Sequence, residues 1–225
     1  MSLLVLVPTR GRPESQLQEV HDTFLETKVL GDTELFFVLD PDSDISAYPS
    51  MKGILLPLVN ETGNMRAALN QAAAVTCNLF GIIGFIGDDH RFRSHGWDVS
   101  ITEALVNGGM AYGDDLMQGE ALPTQWFLTT DIVKEFGMAP DFLNHFYIDN
   151  YWLDMANAAR CRYYLPDVKI EHMHFSYGKS EMDATYQHSM MLGGADQSEY
   201  LYWRRGEGFQ VDAYKLIGII QERKK

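Results

Sequence analysis

Apolar residues in this chain alternate between two periods. Residues 3–7 (Leu3, Leu4, Val5, Leu6, Val7) are continuously apolar, the pattern of a strand buried on both faces of a parallel sheet. Pro8 to Pro13 then reads as a loop, with Pro13 placed to open a helix. Leu17, Val20, Phe24 and Leu25 recur at helical spacing until Gly31-Asp32. A second strand, 34–39, stops at Asp40-Pro41-Asp42. This strand–helix–strand order predicts a βαβ unit with polar residues at both strand exits.

The alternation continues. Residues 54–59 predict a third strand, with Pro57 marking an edge, and 61–76 a helix with Met65, Leu69, Ala72 and Ala73 on one face. The run 79–86 is broken only by Gly81 and Gly84 and ends at Gly87, followed at once by Asp88, Asp89 and His90. Beyond it the pattern predicts a helix over 97–107, strands at 110–112 and 125–128, and short and long helices at 132–136 and 148–159. A strand follows over 168–175. Helices at 182–192, 196–204 and 209–222 complete the chain. Alternating β and α elements predict an α/β fold with an open, mixed but mostly parallel sheet flanked by helices.

Composition narrows the function. The chain has 225 residues and a formal net charge of −13, against an extended duplex-DNA footprint. Cys77 and Cys161 suggest reduced thiols and a cytoplasmic setting. The N-terminal apolar run is too short for a signal peptide, and no run suits a membrane span. P-loop, GxGxxG, GxSxG and CxxC signatures are absent.

Two stretches carry candidate chemistry. Adjacent carboxylates at a strand end concentrate negative charge, which a divalent cation would offset; taken alone, the same residues also suit a polar turn. As a strand, 168–175 puts Val168, Ile170, His172 and His174 on one face, so both imidazoles point one way. Arg66, near a helix start, opposes the helix dipole and suits an anion, or is an ordinary surface arginine.

In this order the residues resemble the GT-A glycosyltransferases, of the family 2 type and similar to small phage-encoded members. VPTRGRP after the first strand, Asp40 and Asp42 after the second, and Gly63, Asn64, Arg66 and Asn70 on the next helix carry the resemblance. So do Asp88-Asp89-His90 in place of a DxD, an acidic helix start at Asp149, and the late His172-x-His174. The resemblance covers about 1–180, with 181–225 as a helical C-terminal extension. It implies transfer of a sugar from a nucleotide-diphosphate sugar, with UDP as the expected nucleotide, to an acceptor hydroxyl with Mn2+ or Mg2+. Pro8, Thr9, Arg10, Asp40, Arg66, Asp88 and Lys179 would serve the nucleotide. Asp89, His90 and His174 would hold the metal, with His174 preferred over His172. His172, Trp97, Trp126 and His145, with Tyr147, would face sugar or acceptor. Asp149 would be the base of an inverting reaction. Histidine at the third position of the acidic motif leaves its register open. The acceptor is open among protein, glycan, small molecule and hydroxymethylated DNA base, and a non-catalytic sugar-nucleotide-binding protein is the competing reading. A nucleotidyltransferase fits poorly, for lack of a glycine-rich basic loop. A metal-dependent hydrolase would use the same histidines without an acceptor.

Overall fold

The computed structural model describes residues 1–58, 64–182, 187 and 193–225. The elements are β1 (Leu3–Thr9), α1 (Glu14–Thr27), β2 (Thr33–Leu39), β3 (Leu55–Pro57), α2 (Met65–Thr76), β4 (Ile82–Phe85), β5 (His90–Phe92) and α3 (Trp97–Ala104). There follow β6 (Met110–Asp114), β7 (Trp126–Thr129), α4 (Thr130–Phe136), α5 (Ile148–Ala158), β8 (Arg162–His172), α6 (Gly193–Arg205) and α7 (Glu207–Glu222). Val59, the 61–63 opening of the expected helix, and most of the expected 182–192 helix lie outside the described residues.

The strands form one mixed sheet in the order β3-β2-β1-β4-β7-β6-β8-β5. β1, β2, β3 and β4 pair in parallel, β7 runs antiparallel to both β4 and β6, and β6 pairs in parallel with β8. Strand alternation in β1 explains the layers. Leu3, Val5 and Val7 face a core with Leu17, Val20, Phe24 and Trp97, from α1 and α3. Leu4 and Leu6 face the other core, with Leu69, Ala72, Trp152 and Leu216, from α2, α5 and α7. The C-terminal helices are thus part of the main core, through Trp203, Leu216 and Ile220.

Several boundaries differ from expectation. Leu25 and Leu79 are exposed, and β4 begins only at Ile82. Helix α3 ends at Ala104, ahead of Gly108 and Gly109, whose φ angles of 79° and 128° turn the chain into β6. β8 starts at Arg162 rather than 168 and tolerates Pro166 because that residue falls in an irregularity of its pairing with β6: Gly113 faces Leu165, while Asp114 faces Lys169. β8 also ends at His172, where it pairs with β5. Among the described residues no helix is long and apolar enough to cross a membrane.

Candidate active site

The site forms where β1, β4 and β8 end. After Phe85 the chain turns at Gly87 and presents Asp88, each of whose carboxylate oxygens accepts a hydrogen bond. Thr9 Oγ1 donates to one oxygen at 2.9 Å and Arg12 Nε to the other at 3.1 Å. Gln16 Nε2 donates to its carbonyl at 3.3 Å. Burial pushes Asp88 up to about 6, with the Arg12 guanidinium pulling in the opposite direction. Asp88 therefore ties the motif to the loop after β1.

Asp89 turns the other way. One carboxylate oxygen lies 3.2 Å from His90 Nδ1 and the other 3.1 Å from His172 Nε2. Burial disfavours its charge, but the His172 hydrogen bond and the imidazoles beside it outweigh burial and hold it well below the usual carboxylate range. His90 and His172 are directly opposite in the antiparallel β5–β8 pair, and their rings stack at 4.2 Å. One ligand atom from each of Asp89, His90 and His172 lies within 4.8 Å of the others.

These residues fit a divalent cation. The Gly87 N–H donates to His90 Nδ1 at 3.1 Å, so that nitrogen carries a lone pair, yet it also faces an Asp89 oxygen. Burial lowers the His90 pKa, which keeps the ring neutral. Two acceptors in contact are unfavourable unless a cation or proton lies between them. The outer nitrogens, His90 Nε2 and His172 Nδ1, are buried without a hydrogen-bond partner. Carboxylate with imidazole is a donor set for Mn2+ rather than Ca2+.

Asp149 stands in the first turn of α5, just after Tyr147, whose φ of 64° is left-handed for a non-glycine residue. Burial pushes its carboxyl up to about 6. The Asn150 N–H, donating at 2.8 Å, and nearby His172 counteract that rise, so Asp149 is within electrostatic reach of the metal-binding group.

The remaining expected residues divide. Pro8 and Thr9 close β1 beside Asp88. Arg10 lies 3.9 Å from Asp40 and 3.6 Å from Asp42, and burial raises Asp40. Arg66 enters α2 one residue after the Asn64–Met65 cap junction, 3.5 Å from Asp141, with its Nε buried and unpartnered. Lys179 pairs with Glu171 at 2.9 Å. A cleft of about 460 Å³ runs along Arg12, Gln16, Asp89, Arg91, Met173 and Lys179.

His174 is not in the three-residue group. β8 has ended, and His174 instead caps the turn Phe175–Tyr177, accepting from the Ser176 N–H, with its ring 5.1 Å from that of His172. The residue that joins Asp89 and His90 is His172. His145 lies in the loop before α5, edge-on to Phe146. Trp97 and Trp126 are core residues, each 1% exposed. Trp97 packs on Phe92 at 4.5 Å and Trp126 on Phe85 at 4.3 Å, so neither indole has a face to offer a sugar. Their place as an acceptor platform is corrected.

Two further residues of the site, Asp115 and Asp196, carry no sequence signal at short range, and a third, Arg12, lies within VPTRGRP without a role of its own there. Arg12 is buried against Asp88. Asp115 accepts from the Met117, Gln118 and Gly119 N–H groups and Thr124 Oγ1, and its carbonyl accepts from the His172 N–H at 3.0 Å. Asp196 grips the loop before Asp149. Each finds its partners by folding; only the Arg12 position, between Gly11 at φ 65° and Pro13, hints at a fixed loop.

The architecture is that of the GT-A glycosyltransferases. Among solved structures the chain is similar to Staphylococcus aureus TarS, with a TM-score of 0.59 and 12% identity over 99% of this chain and 49% of that one. It thus spans about half the TarS length. It is also similar to mannosyltransferase PcManGT from Pyrobaculum calidifontis in complex with GDP-Man and Mn2+, with a TM-score of 0.57 and 14% identity, covering 98% and 75% of the two chains. A third is glucosyl-3-phosphoglycerate synthase from Mycobacterium tuberculosis with Mn2+, UDP-glucose and glycerol 3-phosphate, with a TM-score of 0.57 and 13% identity, covering 88% and 79%. No family model matches the chain, and no curated protein matches it.

Proposed function

We propose that the protein is a metal-dependent glycosyltransferase that moves a hexosyl group from a uridine diphosphate sugar to an acceptor hydroxyl. The observation that carries this reading is the convergence of Asp89, His90 and His172, with Asp149 in electrostatic reach of His172, at strand ends of this fold. The nucleotide-sugar and Mn2+ complexes of two similar structures support the donor class.

Asp89, His90 and His172 would hold Mn2+ or Mg2+, which supplies Lewis-acid stabilisation of charge on the departing diphosphate. Pro8, Thr9, Arg10 and Asp40 line the exits of β1 and β2, where the nucleoside would sit, and Arg66 and Lys179 bring cationic charge for phosphate. Asp149 takes the acceptor hydroxyl proton onto a carboxylate oxygen as that hydroxyl attacks the anomeric carbon. The new C–O bond forms on the face opposite the breaking bond to diphosphate, so configuration inverts. With a pKa near 6, Asp149 is mostly ionised at pH 7 yet more basic than an ordinary aspartate. Asp88 braces the loop after β1. A host cytoplasm, with phage encoding, is the setting proposed with this reading; both cysteines are free thiols.

The test is a panel of nucleotide sugars with Mn2+, read as nucleotide diphosphate release, with protein, glycan, small-molecule and hydroxymethylated-DNA acceptors. Acceptor-dependent release from a UDP-sugar is expected. Neither release nor binding with any nucleotide sugar overturns the reading.

A further inference from the structure

The loop that delivers Asp149 is held by a helix far along the chain. Asp196, in the first turn of α6, is fully buried. One carboxylate oxygen accepts from the Asn144 backbone N–H at 3.0 Å and its side-chain Nδ2 at 3.1 Å. The other accepts from the His145 and Phe146 N–H groups, both at 2.8 Å. Three consecutive amides converging on one anion form a nest, and here the anion is supplied by the protein itself. The nest ends three residues before Asp149.

Asp196 is one of three contacts on a single face of α6. Asp196, Tyr200 and Trp203 fall at helical spacing, four and then three residues apart. The Tyr200 ring stacks on Tyr147 at 5.1 Å, and its hydroxyl donates to Asp154 at 2.7 Å. Trp203 lies against Tyr151 at 4.6 Å. The same loop is fixed from the opposite side by α2. The Arg66 N–H donates to the Asn144 carbonyl at 3.1 Å, and Asn70 accepts from Met138 and Ala139 at 2.8 and 3.1 Å. A left-handed conformation at Tyr147 is disfavoured, because its Cβ crowds the following carbonyl oxygen. It therefore persists only where its surroundings impose it, and the stacked Tyr200 and the amide nest are those surroundings.

We propose that Asp196, backed by Tyr200, is a positioning residue that sets the 144–147 loop and so aims the Asp149 carboxylate at the acceptor hydroxyl. The proposal rests on the reading of Asp149 as base. A misplacement of about 1 Å at a reacting group costs up to about 100-fold in rate, while donor contacts made by the β1, β2 and β4 ends are untouched.

Asp196→Asn replaces one accepting oxygen by an amide of similar volume, and Asp196→Glu keeps the charge but shifts it by one methylene. In the full chain both are expected to lower kcat by about 10- to 100-fold. UDP affinity with Mn2+, read by calorimetry, stays unchanged. Adding Asp196→Asn to Asp149→Asn is expected to cause no further loss, since the group being aimed is already gone. Wild-type kcat in both variants overturns the proposal. So does an equal further loss in the Asp149→Asn background. A readout independent of turnover is the Asp149 carboxyl titration followed by NMR. Its midpoint moves toward the ordinary aspartate value in Asp196→Asn if the loop opens to water, and an unmoved midpoint overturns the proposal. If the wild type turns over no nucleotide sugar, the base assignment fails by itself, and this titration still decides whether Asp196 sets the loop.

Discussion

His90 and His172 stack face to face across two antiparallel strands, 4.2 Å between ring centroids, with the Asp89 carboxylate touching a nitrogen of each. Neither histidine is chosen by its neighbours in sequence; the strand register brings them together. Metal-dependent UDP binding is therefore expected to vanish in Asp89→Ala and His172→Ala, and to survive with a smaller loss in His174→Ala. Calorimetry with and without Mn2+ distinguishes them. Loss only in the His174 variant would move the late ligand out of β8.

The same donor set separates metals. One carboxylate and two imidazoles favour Mn2+ over Mg2+ and Ca2+, which prefer oxygen. Titrating each ion into protein with UDP should give the tightest response with Mn2+; a Ca2+ preference would count against imidazole ligation.

Asp149→Asn should lower kcat by about 100- to 10,000-fold with donor affinity intact. The pH dependence has a definite sign. The base must be the carboxylate, and burial raises its pKa to about 6, so the proton returns as pH falls through that value. Activity should fall about tenfold per pH unit below about 6, checked by kcat against pH in single-turnover mixing. A flat profile from pH 7 to 4.5 would exclude this group.

Arg12 and Asp88 form a buried pair, their side chains 6% and 9% exposed. Arg12→Ala leaves a buried carboxylate with the Thr9 hydroxyl as its remaining side-chain donor among the described residues and should cost about 3 kcal/mol of stability. Denaturant unfolding at pH 8 measures it. A loss below about 0.5 kcal/mol, typical of surface changes, would mean the site is more open than described.

Trp97→Phe and Trp126→Phe test whether these rings are structural. Each should lower stability by about 1–3 kcal/mol and leave acceptor KM within about twofold, near 0.4 kcal/mol. A large KM effect without a change in Tm would restore a platform role.

How much of this was readable beforehand follows from the range of each interaction. β1, β2 and the start of the acidic motif are local patterns, so continuous apolar runs ending in Asp40 and Asp88 place them well. Composition does not reveal which face of an element an aromatic ring occupies, so the core places of Trp97 and Trp126 are legible only in the structure. Which of His172 and His174 joins Asp89 depends on where β8 ends, and the sequence does not show that it ends at His172 with His174 beyond it accepting from the Ser176 N–H. Asp196 was invisible as a site residue: its partners lie 50 to 52 residues earlier, and an acidic residue in a first helical turn looks like any other.

The irregularity in β8 has a consequence for how this chain tolerates change. Between one β6–β8 pair and the next, β6 advances from Gly113 to Asp114 while β8 advances from Leu165 to Lys169. Pro166, Asp167 and Val168 fill that offset; Val168 is buried, while Pro166 and Asp167 are exposed, so the side chains of those two are free to vary. Their number is not. Removing or adding one residue there would rotate every later position of β8 to the opposite face and carry His172 away from Asp89. Spacing, more than identity, is what Pro166 and Asp167 supply to the metal group, and substitution scans would score as neutral two positions where a single-codon deletion abolishes binding.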